Sequence, residues 1–198
     1  GTIQGDNGAD DINLTGGVEH AGSTIKGGAG NDSITFAASS TFKNGFLNGN
    51  AGVDDIDVIA VNGSKILGGA DNDAINAGAM TNSSTVNGNK GNDTIIITGA
   101  VSSNSSVFGG AGNDTISETN DGALIFYGDL GNDSLVGGTS TDSLFGGEGN
   151  DTIVGGNGAD TISGGAGNDS LTGGTAADTI SGGAGADVLD GGTEGAVV

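Results

Sequence analysis

The last third of the chain carries one apolar residue every nine positions, set between glycines and an aspartate. From Gly128 it reads GDLGNDSLV, GGTSTDSLF, GGEGNDTIV, GGNGADTIS, GGAGNDSLT, GGTAADTIS, GGAGADVLD and a shortened GGTEGAVV. Position 1 is always Gly, and position 6 is Asp in every complete copy. Position 8 is Leu or Ile, with Val198 in the last copy. Nine fits neither a helical face nor a long alternating strand. It predicts a six-residue glycine turn followed by a three-residue strand that buries one side chain.

The first 127 residues repeat the same box at wider spacing. Boxes begin at Gly5, Gly27, Gly49, Gly68, Gly88 and Gly109, and the steps to the next box are 22, 22, 19, 20, 21 and 19 residues. Each step is two nonapeptides plus a short insertion, so one box per coil is kept and the other turn is looser. An apolar residue precedes every box by two positions: Ile3, Ile25, Leu47, Ile66, Val86, Val107 and Phe126. The inserts, such as AASSTFKNG and MTNSST, read as small polar surface turns. The expected fold is all-β: a right-handed parallel β-roll or β-solenoid of about 18–22 residues per coil. Residues 1–127 form degenerate coils and residues 128–198 a tandem nonapeptide roll, continuous as one solenoid. One inner column is expected to run from Ile12 through Ile34, Ile56 and Ile75 to Leu189, and the facing column from Ile3 through Ile25 and Leu47 to Ile180.

Composition makes that core too thin to hold the fold alone. The chain has 44 Gly, 25 acidic residues against 4 lysines, a net charge of −21 and 33% hydrophobic residues. Self-repulsion and backbone entropy favour an expanded chain unless a cation binds. Four scattered lysines make no phosphate-binding patch, so nucleic acid is excluded as a partner. No apolar run is long enough to span a bilayer, and no signal peptide is present.

Stacking the coils brings the position-6 aspartates into two columns. One edge carries Asp10, Asp32, Asp54, Asp73, Asp93, Asp114, Asp133, Asp151, Asp169 and Asp187; the other carries Asp142, Asp160 and Asp178. Carboxylates about 5 Å apart repel unless a divalent ion lies between them. Flexible all-oxygen coordination suits Ca²⁺ better than Mg²⁺. With no Cys and one His, zinc and copper lack ligands. Gaps between successive aspartates give roughly eleven Ca²⁺ between turns, whose charge nearly cancels that of the chain. The shortened last box puts Ala196 where an aspartate is expected. Asp11, Asp55, Asp57 and Asp190 are off-phase and read as surface charge, and His20 as a solvated loop residue.

The nonapeptide resembles GGxGxDxUx of the repeats-in-toxin (RTX) family, loosely over 1–127 and tightly over 128–190. The resemblance implies ions held between turns eighteen residues apart by two aspartates and by turn carbonyls, here those of Gly146, Gly147, Gly149, Gly155, Gly156, Gly158, Gly164, Gly165 and Gly167. Asp151 and Asp169 would share one ion, and Asp142 and Asp160 another. It also implies export unfolded by type I secretion and folding outside the cell in calcium.

No catalytic signature is present: HExxH and GxSxG are absent, and the chain reads as non-enzymatic. The leading expectation is a secreted structural protein, similar to a segment of a bacterial surface layer (S-layer) or matrix. It would assemble with copies of itself or with the rest of its own chain, with a cell-surface polysaccharide as a further partner. The alternative is a calcium-triggered folding module of a secreted protease, lipase, toxin or adhesin. A solenoid recognising glycan or ice would call for a flat, regular Thr or aromatic array.

Overall fold

A computed structural model shows a parallel β-solenoid of about ten coils. It describes residues 1–17, 19–102, 104–119 and 122–193, and the backbone of 196–197. Among the described residues there is no helix, hence none long and apolar enough to cross a membrane. Each coil gives one strand to an eleven-stranded sheet and one to the facing sheet, whose twelve strands include Glu19–Ala21 and Thr41–Lys43 beside the main path. All pairings are parallel, and the ladder runs unbroken across residue 128.

The two predicted columns are in register. Ile3, Ile25, Leu47, Ile66 and Val86 are successive partners in one sheet, and Ile12, Ile34, Ile56, Ile75 and Ile95 in the other. Apart from the end coils, these residues are fully buried. The strands are longer than the three residues expected: Thr152–Asn157 and Thr161–Ala166 have six, because pairing continues into the glycine turn. The hydrogen bonds of each coil go to its neighbours, so the core grows coil by coil.

The inserts keep exposed turns at Ala38–Ser39 and Asn82–Ser83 but are more than surface turns. Thr41–Lys43 and the far halves of Asp55–Asn62 and Ala74–Thr81 form a third flank. There Phe42 pairs with Val61, and Met80 with Ala60's neighbour Val61 in the next pairing. Phe42, Val61 and Met80 are completely buried. On the twelve-stranded sheet a second inward residue follows each isoleucine: Leu14, Phe36, Val58, Ala77 and Ile97. In the tandem coils that slot is Gly, as at Gly155 and Gly173. The early coils thus close around a wider apolar interior than one residue per strand supplies.

His20 belongs to this flank and not to a loop. It sits on Glu19–Ala21, pairs with Phe42 and is half-buried, its ring edge-on to Phe36 at 5.4 Å. Ala196 also departs from expectation: it pairs with Thr179, and Val197 with Ile180. The last box is one residue short in its turn, so Ala196 stands one position past the aspartate slot. Val198 lies outside the described residues. Phe108, Tyr127 and Phe145 stack on the outer face of the eleven-stranded sheet, with centroids 4.8 and 5.1 Å apart.

Candidate metal centre

Every position-6 aspartate lies just before a strand, at the end of a glycine turn. On the long edge the backbone N–H of Asp133 donates to Asp151 Oδ1 at 2.8 Å, and that of Asp151 to Asp169 Oδ1 at 2.8 Å. The same bond recurs at each step from Asp10 to Asp187. On the short edge Asp142 donates to Asp160 and Asp160 to Asp178, and the series begins with the N–H of Leu124 on Asp142. The structure therefore brings all thirteen predicted aspartates into two ladders. Asp10 and Asp187, in the end coils, are the half-buried members.

One carboxylate oxygen is used by the ladder and the other is not. Oδ2 of Asp32, Asp54, Asp73, Asp93, Asp114, Asp133, Asp142, Asp151, Asp160, Asp169 and Asp178 is buried without a hydrogen-bond partner. Buried charged oxygens are among the most costly groups to leave unsatisfied. Burial raises the carboxyls of Asp73, Asp114 and Asp142 to about 7 and those of Asp54 and Asp133 to about 6. Asp93, Asp151 and Asp160 are raised for the same reason. The N–H bond on Oδ1 opposes this shift, and for Asp151 and Asp160 the next aspartate of the column adds to it.

The first glycine of each box is required by close approach. A Cβ on Gly146 would collide with Asp151 Oδ2 and with the carbonyl oxygen of Gly164 in the next coil. On Gly137 it would meet Gly155 O at 2.7 Å and Asp142 Oδ2 at 2.9 Å. The orphaned carboxylate oxygen and a first-glycine carbonyl thus face one small space, which includes the predicted carbonyls of Gly146, Gly155 and Gly164. The carbonyls of Gly147, Gly149, Gly156, Gly165 and Gly167 point along the solenoid, against the turn backbone of the next coil. Apart from Asp6 and Ser140, the described second and fourth box positions have left-handed backbone. Asn50, Asn89 and Asp129 take it at position 2, and Asp71 and Ala176 at position 4. Asn and Asp tolerate it; Ala176, at φ 81°, is strained.

Among the described residues no three acidic or imidazole side chains converge on one point. A cation at these slots would therefore take carboxylate oxygens one or two at a time and complete its shell from main-chain oxygens. Hard oxygen donors of this kind fit Ca²⁺. A model of the RTX calcium-binding nonapeptide repeat matches residues 23–38, 64–79, 82–96, 102–117, 127–162 and 163–194, well over half of the chain.

The chain belongs to the RTX calcium-binding nonapeptide repeat family.

RTX repeats bind calcium, and the proteins that carry them are typically secreted. The matched segments are all repeat, and no catalytic domain is found among them. No curated protein matches the chain. Among solved structures, its fold is similar to a hyperactive, Ca²⁺-dependent, β-helical antifreeze protein from an Antarctic bacterium. The TM-score is 0.71 at 24% identity, covering 86% of this chain and 60% of that one. This chain therefore spans less than two thirds of the antifreeze chain, and at that identity the likeness is one of fold alone.

One functional feature escaped the sequence reading: the neutral counterpart of the short edge in the early coils. Ser64 and Ser84 occupy the aspartate slot there, buried and hydrogen-bonded. Ser23, Ser64, Ser84 and Ser105, just before the strands, were the available signal, but serine is too common in turns to stand out. The off-phase Asp11, Asp55 and Asp190 are exposed and Asp57 is half-buried, none of them in a ladder.

Proposed function

We propose that the chain is a calcium-dependent extracellular structural solenoid, part of a surface-layer or matrix protein that folds and assembles on Ca²⁺ after secretion. The observation that carries this reading is the column of buried, unpartnered carboxylate oxygens running the length of the rod. The thirteen laddered aspartates, with first-glycine carbonyls, hold roughly eleven ions between successive turns. A bound ion supplies the positive charge that these oxygens lack. Each aspartate meanwhile caps a backbone N–H with Oδ1, so the turn geometry is set by the chain itself.

Neutralising a net charge of −21 also removes the repulsion that keeps copies apart, so calcium promotes both folding and association. Electron microscopy and light scattering with and without Ca²⁺ test this. Ordered assemblies that dissolve in chelator are expected. A strictly monomeric rod at millimolar Ca²⁺ would favour a folding module of a larger secreted protein instead. That second reading draws support from the double-edged ladder, which is confined to the tandem repeats. Ice binding has less behind it, because the outward columns are mixed: Asp55, Ala74, Thr94, Thr115 and Ser134 succeed one another.

A further inference from the structure

We infer that the rod contains two classes of coil with different calcium stoichiometry, because serine and extra apolar side chains replace the second ion edge in the early coils. This deepens the calcium reading above and rests on it.

The slot before each strand of the eleven-stranded sheet is marked by one bond: its carbonyl accepts the first N–H of the corresponding strand in the next coil. Asp142 and Asp160 do this for Thr161 and Thr179, Leu124 for Ser143, and Ser64 and Ser84 for Thr85 and Ser106. The serines are therefore structural equivalents of the aspartates. Ser64 Oγ accepts the N–H of Gly45 at 3.0 Å, the same type of bond that Asp142 Oδ1 accepts from Leu124. Its hydroxyl proton goes to the carbonyl of Phe42 or Asn62, at 2.9 and 3.1 Å. Ser84 Oγ lies 3.0 Å from Val61 O and 2.6 Å from Thr81 O. A hydroxyl satisfied in this way is neutral and leaves no charged oxygen for a cation to balance.

What the missing ion would have contributed is supplied by the interior. The coil over 65–84 buries Ile66, Ile75, Ala77 and Met80 against one laddered aspartate, Asp73. The coil over 143–160 buries Leu144 and Ile153 against two, Asp151 and Asp160. Apolar side chains and buried carboxylates thus stand at four to one in the early coil and two to two in the late coil. The change falls at the coil over 106–124, where Leu124 fills the slot and the inserted flank ends with Gly122 against Val101.

Hydrogen exchange of the whole chain across a calcium titration tests this. Local opening free energy rises with the logarithm of calcium concentration in proportion to the ions released, about one per coil in 46–105 and about two in 125–178. The late coils should show about twice the slope, and the early coils should gain protection at several-fold lower calcium. The double variant Asp142→Ser, Asp160→Ser should flatten the late slope and lower protection there at every calcium concentration. Equal slopes in wild-type chain overturn the two-class assignment while leaving the calcium ladder standing. Protection that ignores calcium everywhere overturns both.

Discussion

Asp151→Asn separates a carboxylate that serves an ion from one that serves only the backbone. Asparagine keeps an oxygen for the N–H of Asp133, a bond of 2.8 Å, and replaces the unpartnered Oδ2 with an amide nitrogen. Size and ladder geometry are retained, and only charge and donor chemistry change. Asp151 lies between the coils of Asp133 and Asp169, so two ions share it. At calcium one hundred times the dissociation constant, each such ion stabilises by about 2.7 kcal/mol. Losing both would remove about 5 kcal/mol, comparable to the whole stability of many domains. In chelator the sign reverses: burial raises the Asp151 carboxyl, so a neutral amide relieves the metal-free fold. Urea unfolding followed by circular dichroism, in excess Ca²⁺ and in EGTA, reads both limits, and equilibrium dialysis counts the ions. Asp57→Asn, off the ladders, should leave the ion count unchanged. An equal loss of stability in both media, or an unchanged ion count for Asp151→Asn, would refute the reasoning.

Three further outcomes are expected. Asp54, Asp73, Asp114, Asp133 and Asp142 have folded-state values of about 6 to 7, above the ordinary 3.8. Their contribution to the metal-free fold is present below that ordinary value and lost as pH rises through 6 to 7; circular dichroism in EGTA should show β structure growing as pH falls below about 6. Gly164→Ala puts a Cβ against Asp169 Oδ2 and, at 2.6 Å, against Gly182 O. It should cost more than about 2 kcal/mol and weaken calcium binding, as calorimetry would show. Phe42→Ala empties a fully buried site and should cost about 3–5 kcal/mol in denaturant unfolding, with calcium stoichiometry unchanged.

Much of the rod was legible because its period is rigid. A nine-residue count fixes which aspartate stacks on which and which isoleucine faces inward, and strand pairing follows those columns. The third flank was hidden because an insert has no period of its own. Phe42 and Met80 were the visible signal, large apolar residues in otherwise polar inserts, together with the alternating pairs Ile34–Phe36 and Ile95–Ile97. Ala196 was misplaced by counting from the glycines of a box one residue short. Counting back from its valine would have found the pairing with Ile180. The orphaned Oδ2 atoms needed coordinates, since sequence spacing brings carboxylates near each other without saying which oxygen the backbone takes.

The long edge carries a second ladder, next to the first and opposite in sense. Asn72, Asn92, Asn113, Asn132 and Asn150 each accept, through Oδ1, the N–H of the asparagine one coil later, whereas each aspartate accepts from one coil earlier. The two ladders balance at every step, so an added coil brings as many acceptors as donors. The steps of the asparagine ladder run from 18 to 21 residues, yet each coil closes both ladders with no bond left open at the join. Neither ladder therefore limits the number of coils, and the length of the rod is independent of the bonds that close each step.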